Sequence, residues 1–331
     1  MENNGSVIVS TRIRLARNIA GLPFLQNMDE KAANEVILNV VDALGSDYKL
    51  IELKDLSIVD KQILVEQHLI SPDLTKAKWG ALLLNEEQTV SVMLNEEDHI
   101  RMQCILAGLA IGKAYKIINE LDKKIEKTIK YAYDKQFGYL TACPTNVGTG
   151  MRASVMMHLP ALTMQGRMTD IIRTLSKFGL TVRGLYGEGS EALGNMYQLS
   201  NQVTLGISEN EIIGTIDNSA THLANMEKDT AKAVYEKSKI ELEDKLYRSY
   251  GIFKNAHKLD SKEMMSLISD IWLAVSLGLL KGISYKKLYE LMVNAQPAAI
   301  LKQSGTDISV QQRDYLRAKL IREATKNLKY S

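Results

Sequence analysis

The chain has 331 residues, a composition ordinary for a globular protein and a formal net charge of +2. This length suits one large domain or two ordinary ones. The near balance of 41 basic and 39 acidic residues gives no reason to expect nucleic-acid or membrane binding from overall charge. Cys104 and Cys143 lie far apart without a Cys-x-x-Cys spacing, which argues against a disulfide framework and against a zinc site. With no secretory signal and no apolar run of ~20 residues, we expect a cytoplasmic protein.

Strand and helix signals are mixed through the first two-thirds of the chain without a regular βαβ repeat. Such an order favours an α+β fold with a mostly antiparallel sheet flanked by helices. Hydrophobic spacing, period-two alternation and turn residues predict the individual elements. In chain order, they are a short strand at 7–9, a helix at 29–44 that ends at Gly45, a strand at 48–53, a β-hairpin with strands at 81–84 and 89–94, a helix at about 108–135, and strands near 138–142, 181–185 and 196–205.

The last third of the chain carries helix signals throughout. Three capping boxes predict helix starts, and they are Ser208-x-x-Glu211, Asp260-x-x-Glu263 and Ser309-x-x-Gln312. We therefore predict an all-helical C-terminal domain, with a boundary near residue 225.

Five arginines lie at the edges of predicted strands or in adjoining loops, and they are Arg12, Arg14, Arg101, Arg152 and Arg183. A guanidinium group presents a planar fork that matches phosphate oxygens, so converging arginines could bind a triphosphate without a glycine-rich loop. Neither a Walker loop nor a dinucleotide fingerprint is present. The alternative is a set of surface arginines in scattered salt bridges.

Carboxylates cluster at 95–99, in the sequence NEEDH, where a predicted strand ends. Strand alternation would place Glu96 and Asp98 on one face and Glu97 on the other. Such a cluster could supply a general base or bind a cation. The alternative is a solvated turn.

Three further features suggest a site. Cys143 precedes Gly148 and Gly150, where the backbone can approach a ligand closely, although a lone cysteine is commonly an inert buried residue. His68 could stack on a base or serve as a structural histidine. The loop at 187–191 carries two carboxylates between glycines and could close over a reacting phosphoryl group, or be an ordinary connection.

Together these segments resemble the phosphagen kinase superfamily, the ATP:guanidino phosphotransferases. The resemblance is carried by STRIR at 10–14, NEEDH at 95–99 and CPTNVGTG at 143–150, in the family's order. It covers about residues 7–225, and the remaining helical part resembles that of the bacterial protein-arginine kinases. It implies a phosphagen kinase-like catalytic domain with a glutamine synthetase-like fold over 1–225, and a helical domain over 226–331 for dimerisation and phosphoarginine recognition.

The same resemblance implies roles for individual residues. Glu97 would deprotonate the guanidinium, Cys143 would lie as a thiolate near its terminal nitrogen, and either Glu188 or Glu191 would be the second carboxylate. Kinases of free guanidino compounds have an arginine where this chain has Tyr186, so the phosphate clamp in that loop differs. Magnesium would be held by phosphates and water rather than by protein ligands. The implied ATP-binding residues are Ser10, Thr11, Arg12, Ile13, Arg14, His68, Arg101, Arg152, Ala153, Ser154, Val155, Met156, Arg183, Gly184, Leu185, Tyr186, Gly187 and Glu188.

The acceptor is expected to be arginine in a protein. The first arginine motif begins at residue 10, so we expect no preceding helical domain to close on a small substrate. Arg313, Asp314 and Arg317 resemble a phosphoarginine-recognition motif, in which the aspartate contacts a guanidinium and the arginines bind phosphate. The alternative there is an exposed charged helix.

The resemblance further implies a homodimer, a zinc-binding activator protein, a heat-shock repressor as substrate and delivery of marked proteins to a Clp unfoldase and protease. Two other functions stay open at this point. One is a kinase of a free guanidino compound such as arginine, and the other is a non-catalytic phosphoarginine-binding adaptor.

Overall fold

The computed structural model describes residues 6–184 and 192–331. The strands in this part of the chain are β1 (Ile8–Arg17), β2 (Lys49–Glu52), β3 (Ala81–Leu84), β4 (Val90–Leu94), β5 (Ile100–Ala107), β6 (Tyr133–Asp134), β7 (Gly138–Tyr139), β8 (Met151–His158), β9 (Leu180–Gly184), β10 (Met196–Asn201), β11 (Leu280–Lys281) and β12 (Lys329–Tyr330). The helices are α1 (Glu30–Leu44), α2 (Ile58–Glu66), α3 (Ile111–Glu126), α4 (Pro160–Met164), α5 (Met168–Ser176), α6 (Glu209–Lys237), α7 (Lys239–Asn255), α8 (Ser261–Ser276), α9 (Tyr285–Asn294), α10 (Pro297–Ser304) and α11 (Val310–Ala324).

Eight of the described strands form one sheet, in the order β2-β3-β4-β5-β1-β8-β10-β9. Strand β5 pairs antiparallel with β4 on one side and with β1 on the other. In the β1–β5 register, Arg14 lies opposite Gln103 and Ala16 lies opposite Arg101. The sheet confirms the predicted α+β class, and its centre brings the first arginine motif beside the strand that follows NEEDH.

The chain divides into two compact units by its internal contacts. We call Ser10–Val155 with Ser200–Asn218 the sheet unit. The helical unit consists of the described parts of Met1–Val9, Met156–Leu199 and Ser219–Ser331. The core of the helical unit packs around Trp272, Phe253 and Ile268, all of which are fully buried. None of the described helices combines the length and apolarity that a membrane crossing requires.

Local sequence signals place several elements correctly. Helix α1 begins where the Asp29 side chain accepts a hydrogen bond from the Ala32 amide, and it ends at Gly45, whose φ is 70°. The predicted hairpin is present as β3 and β4. All three capping residues accept the expected hydrogen bond from the residue three positions later, at the starts of α6, α8 and α11. The helical prediction for the last third is therefore confirmed, with the short β11–β12 pair as an addition.

The helix predicted for 108–135 is wrong at its carboxyl end, because α3 stops at Glu126. The chain leaves the helix to pair with the segment after β1, where the Ala20 amide binds the carbonyl of Lys130 and the Ala132 amide binds that of Asn18. Tertiary pairing thus overrides helical propensity. The strand predicted for 138–142 is confined to β7, and the strand at 196–205 ends at Asn201.

Strands β5 and β8 were not predicted. Strand β8 lies between β1 and β10 and is buried along almost its entire length. A strand covered on both faces has no alternation of apolar and polar residues, so it lacks the usual sequence signal. This matters for the site because β5 and β8 carry Arg101 and Arg152.

Candidate active site

Four of the predicted arginines converge in the sheet unit. Arg12 and Arg14 lie on β1, Arg101 lies on β5 and Arg152 lies on β8. Burial lowers the pKa of Arg14 well below its ordinary value, and the positive charges of Arg12, Arg101 and Arg152 lower it further. The Arg14 Nε atom is buried and has no hydrogen-bond partner among the described residues. Gathered positive charge with a buried donor still to be satisfied is the arrangement expected of an anion site.

Glu96 offsets part of this positive charge. Its carboxylate accepts hydrogen bonds of 2.5 and 2.7 Å from Nη1 of Arg101 and a short one from the Ser71 hydroxyl. Burial would raise the pKa of Glu96, but Arg101 and the hydrogen bonds hold it below its ordinary value. Glu96 is thus an ionised partner that fixes the orientation of Arg101.

The alternation predicted for NEEDH does not hold. Strand β4 ends at Leu94, and Asn95 adopts a φ of 57°, so 95–99 is a bend rather than a strand. Glu96 faces Arg101, Glu97 is exposed and Asp98 is buried. A bend gives the three carboxylates three different surroundings.

Asp98 joins this bend to the segment before Cys143. Its Oδ1 accepts hydrogen bonds of 2.7 Å from the Ala142 amide and 2.7 Å from the Asn18 side chain. The Asn18 Oδ1 accepts in turn from the His99 amide. Because Asp98 follows Glu97 and Ala142 precedes Cys143, this one carboxylate links the segments that carry two of the predicted catalytic residues.

Glu97 keeps an exposed carboxyl group whose pKa is raised. Partial desolvation is the main cause, and the neighbouring Asp98 adds to it. A raised pKa makes a carboxylate a stronger base, which suits proton abstraction. The position and the direction of the shift agree with the role expected for Glu97.

Cys143 precedes a single 3-10 turn, Pro144–Asn146. Its sulfur lies 3.0 Å from the Thr145 hydroxyl, and the residue is partly exposed. Gly150 adopts a φ of 62°, and a Cβ there would lie 2.6 Å from the Ala16 carbonyl oxygen and 2.7 Å from Nη1 of Arg17. The glycine therefore allows the loop to pack directly against β1.

Arg17 supports this packing from inside the unit. Only 1% of Arg17 is exposed, and its Nη2 lies 2.7 Å from Oδ2 of Asp122 on α3. Its Nη1 donates to the carbonyl oxygens of Ala16 and Thr149 at 2.9 Å each. The guanidinium also lies 3.5 Å from the centroid of the Tyr139 ring. Arg17 thus ties β1 and α3 to residues 143–150, which we call the cysteine loop.

The remaining predicted ATP-site residues of the sheet unit are six residues buried within strands, and His68, which lies outside the strands. Ser10, Thr11, Ile13, Ala153, Ser154 and Val155 are buried within the strands. The Thr11 hydroxyl donates its hydrogen bond to the Gly108 carbonyl, which is a structural contact within the protein. His68 adopts a φ of 61°, and burial with the charge of Arg12 lowers its pKa to about 4. His68 is therefore neutral at physiological pH, as a ring that contacts a base would be.

The other predicted ATP-site residues belong to the helical unit or lie outside the described part of the chain. Met156 is buried on β8, and Arg183 is exposed on β9 beside Gly184. Leu185, Tyr186, Gly187, Glu188 and Glu191 lie outside the described residues.

The predicted phosphoarginine motif lies on α11 of the helical unit. Arg317 is 1% exposed and donates to Oδ1 of Asp314 at 2.7 Å and to the carbonyls of Leu259 and Ala295 at 2.8 Å. Its guanidinium is thus used inside the protein, which corrects the expectation that Arg317 binds phosphate directly. Arg313 is partly exposed. Arg317 instead holds Asp314 and the helix in place.

Several residues that shape the site were not predicted, and they are Arg17, Asn18, Ser71, Asp122, Asn201 and Thr204. Arg17 and Asn18 lie only three and four residues after Arg14, the last residue of the first arginine motif, so their closeness to it in the sequence was a signal that could have found them. Asp122 pairs with a residue 105 positions away, and Thr204 binds a loop 55 to 59 positions away. Contacts of that range leave no local pattern.

Comparison with known proteins shows that the N-terminal and C-terminal parts of the chain each match a protein-family model. Residues 29–230 match the family model "ATP:guanido phosphotransferase, C-terminal catalytic domain", and residues 239–331 match "Protein-arginine kinase McsB C-terminal domain". The chain is 46% identical over 324 residues to a protein-arginine kinase of Bacillus subtilis, covering 96% of this chain and 89% of that protein. It is 45% identical over 328 residues to a protein-arginine kinase of Bacillus cereus, covering 97% and 92%.

Solved structures of guanidino kinases share the fold. The substrate-free duplicated taurocyamine kinase of Schistosoma mansoni aligns with a TM-score of 0.60 and 27% identity over 68% of this chain, which spans 34% of that duplicated enzyme. A lombricine kinase aligns with a TM-score of 0.60 and 26% identity over 69% of this chain and 68% of that enzyme. With the arginine cluster, the cysteine loop and the matches to both parts of the chain, this protein belongs to the ATP:guanido phosphotransferase family, in the group of the protein-arginine kinases.

Proposed function

We propose that this chain transfers the γ-phosphoryl group of ATP to the guanidinium groups of arginine residues in proteins. The observation that carries the proposal is the convergence of Arg12, Arg14, Arg101 and Arg152 in the unit that holds Glu97 and Cys143. The relatives at 45–46% identity, which are named protein-arginine kinases, support protein arginine as the acceptor. The alternatives are a kinase of free arginine and a non-catalytic phosphoarginine-binding adaptor.

The proposed chemistry follows from the properties of the acceptor. A guanidinium has a pKa above ~12 and a delocalised lone pair, so it is a poor nucleophile until a proton is removed. Glu97 takes that proton as the nitrogen attacks the γ-phosphorus, the N–P bond forms and the bond to the β-phosphate oxygen breaks. The sulfur of Cys143 lies beside the terminal nitrogen of the acceptor, and the arginines bind the phosphates and the charge that develops on them.

Magnesium is the expected companion of ATP in this family. The described residues include no group of three His, Cys, Asp or Glu side chains that could hold a metal ion. The donor set around the site is instead arginine-rich, which fits phosphate oxygens rather than a cation. We propose that phosphates and water hold Mg²⁺, which neutralises phosphate charge when bound.

Mass spectrometry without acid steps tests the function, because phosphoramidates are lost in acid. A protein mixture incubated with the enzyme and MgATP should gain phosphate on arginine side chains. A parallel incubation with free arginine in place of protein should show little turnover. Rapid, saturable phosphorylation of free arginine would instead favour a kinase of free guanidino compounds, and phosphoarginine binding without any transfer would favour the adaptor.

The wider biological setting belongs to the same proposal. We place the protein in the cytoplasm as a homodimer, with a catalytic domain over 1–225 and a helical domain over 226–331 that dimerises. A zinc-binding activator protein, a heat-shock repressor as substrate and a Clp unfoldase and protease are the proposed partners.

The helical domain is proposed to bind phosphoarginine through Arg313 and Asp314, with Arg317 as the support of Asp314. Replacing Arg313 by Ala should weaken phosphoarginine binding about 10- to 100-fold, because a charge-assisted hydrogen bond contributes ~1.5–3 kcal/mol. Calorimetric titration measures the affinity directly. The Arg313→Ala change is preferred to one at Asp314, which would also leave the buried Arg317 guanidinium without its carboxylate partner.

Lys319→Ala is the matched control for that titration, since Lys319 is an exposed cation on the same helix. Its affinity for phosphoarginine should equal that of the wild type. Equal affinities for the wild type and Arg313→Ala would remove the motif from the proposed site.

A further inference from the structure

Thr204 is a buried residue that contacts the cysteine loop, residues 143–150, from the segment after β10. Only 6% of Thr204 is exposed. Its hydroxyl donates towards the carbonyl oxygens of Thr145, at 2.9 Å, and Val147, at 2.7 Å. Its own carbonyl oxygen accepts from the Thr149 amide at 3.1 Å. One side chain and one peptide group therefore hold three positions of the loop that carries Cys143.

The contact between Thr204 and the loop leaves no free space. Gly148 adopts a φ of 113°, and a Cβ built there would lie 2.2 Å from the Thr204 carbonyl oxygen and 2.8 Å from the Leu205 Cα. Only glycine can occupy this position without displacing the backbone. The loop cannot shift towards Thr204, and the single hydroxyl proton of Thr204, shared between the carbonyl oxygens of Thr145 and Val147, opposes a shift away from it.

The same segment is attached to the strand that carries Arg152. The Asn201 side chain donates to the Met151 carbonyl at 3.1 Å and accepts from the Ala153 amide at 2.8 Å. Asn201 thus binds the residues on both sides of Arg152, while Thr204 binds the cysteine loop. Residues 201–204 therefore fix the separation between a phosphate-site arginine and the loop that bears the thiol.

The path from Thr204 to the sulfur is short. The turn Pro144–Asn146 is closed by a hydrogen bond of 3.0 Å from the Asn146 amide to the Cys143 carbonyl. Thr204 holds the carbonyl in the middle of this turn, and the Thr145 hydroxyl lies 3.0 Å from the Cys143 sulfur. Loss of the Thr204 hydroxyl would release the turn, and the thiol with it.

We propose that Thr204 is a positioning residue for Cys143, holding the cysteine loop so that the thiol meets the acceptor guanidinium at a fixed distance from the phosphate site. This inference rests on the proposed function, which supplies the acceptor. Thr204 itself does not touch substrate. Its contribution is geometric, because misplacement of a reacting group by about 1 Å can lower a rate by about 10²-fold.

A pair of substitutions separates the hydroxyl from the shape of the side chain. Thr204→Val keeps the volume and loses the hydrogen bonds, whereas Thr204→Ser keeps the hydroxyl. With Thr204→Val we expect kcat for arginine phosphorylation to fall by about 10- to 100-fold, with KM for ATP unchanged within about 2-fold. Thr204→Ser should recover most of the lost kcat. A loss that Ser does not recover, or a loss of ATP affinity in place of kcat, would overturn the inference.

Alkylation of Cys143 by iodoacetamide provides a second measurement that needs no phosphoryl transfer. Cys104 is buried, so peptide mass spectrometry can follow the partly exposed Cys143 separately. The alkylation rate, measured as a function of pH, should change severalfold in Thr204→Val and return to the wild-type value in Thr204→Ser. An identical rate in all three proteins would contradict the inference, even if no protein-arginine kinase activity were found. Should Thr204→Val fail to fold, Thr204→Ala is compared with Thr204→Ser by the same two measurements.

Discussion

Replacing Glu97 by Gln should lower kcat for arginine phosphorylation by about 10²- to 10⁴-fold, the usual contribution of a positioned general base. The amide has nearly the same shape but cannot accept the guanidinium proton. Nucleotide binding should persist, because the four arginines and the Glu96–Arg101 pair are untouched. Steady-state kinetics measures kcat, and binding of a non-hydrolysable ATP analogue measures the integrity of the phosphate site.

The pH dependence of the wild type tests the same assignment. The active form of Glu97 is the carboxylate, and its pKa lies above the ordinary value of 4.5 through partial desolvation and the neighbouring Asp98. Activity should therefore fall as the pH decreases through this raised pKa, so the acid limb of kcat/KM should lie above pH 4.5. An acid limb at the ordinary carboxylate value would contradict the assignment.

Glu87→Gln is the matched control, because Glu87 is an exposed carboxylate in the turn between β3 and β4. Its kcat should equal that of the wild type. If Glu97→Gln kept kcat within a factor of about 3, Glu97 would not be the base, and a carboxylate of the 187–191 loop would become the stronger candidate.

The sequence predicts those parts of the site that depend on neighbouring residues. Residues 10–14, 95–99 and 143–150 are continuous segments, and each can be recognised without knowledge of the fold. Capping residues and Gly45 likewise act within one helical turn, and the structure confirms them. Arg12, Arg14, Arg101 and Arg152 lie close enough for their charges to interact, although the strands that carry Arg101 and Arg152 were not predicted.

Features that depend on distant contacts were not predictable in the same way. Helix α3 ends where it does because residues 130–132 form backbone hydrogen bonds with the segment after β1. The helical spacing of apolar residues in the sequence carries no information about that pairing. The motif on α11 shows the same limit. Arg313 and Arg317 are four residues apart, a spacing that places two residues on one face of a helix. Arg317 is nevertheless buried and donates hydrogen bonds to the carbonyls of Leu259 and Ala295, so its role is structural.

Replacing Asp122 by Asn should destabilise the sheet unit by about 3–5 kcal/mol, the usual cost of removing one partner from a buried ion pair. The Arg17 guanidinium would stay buried without its closest counter-charge. Glu209 can compensate only in part, because its nearest carboxylate oxygen is 3.9 Å from Nη2 of Arg17 and its side chain is 27% exposed. Urea denaturation followed by tryptophan fluorescence measures this stability. Of the two tryptophans, Trp79 belongs to the sheet unit and Trp272 to the helical unit, so in a Trp272→Phe background the signal reports on the sheet unit.

The matched control for Asp122→Asn is Asp47→Asn, which removes a carboxylate that pairs with Lys124 on the same helix at 3.3 Å. Both partners are exposed there, so we expect a loss of at most about 1 kcal/mol. Because Arg17 also binds the Thr149 carbonyl, and Arg152 lies three residues after Thr149, Asp122→Asn should in addition weaken ATP binding through Arg152, whereas Asp47→Asn should not. Equal stability losses in the two variants would show that the buried pair contributes no more than an exposed one, and that Tyr139 and the backbone carbonyls suffice to hold Arg17.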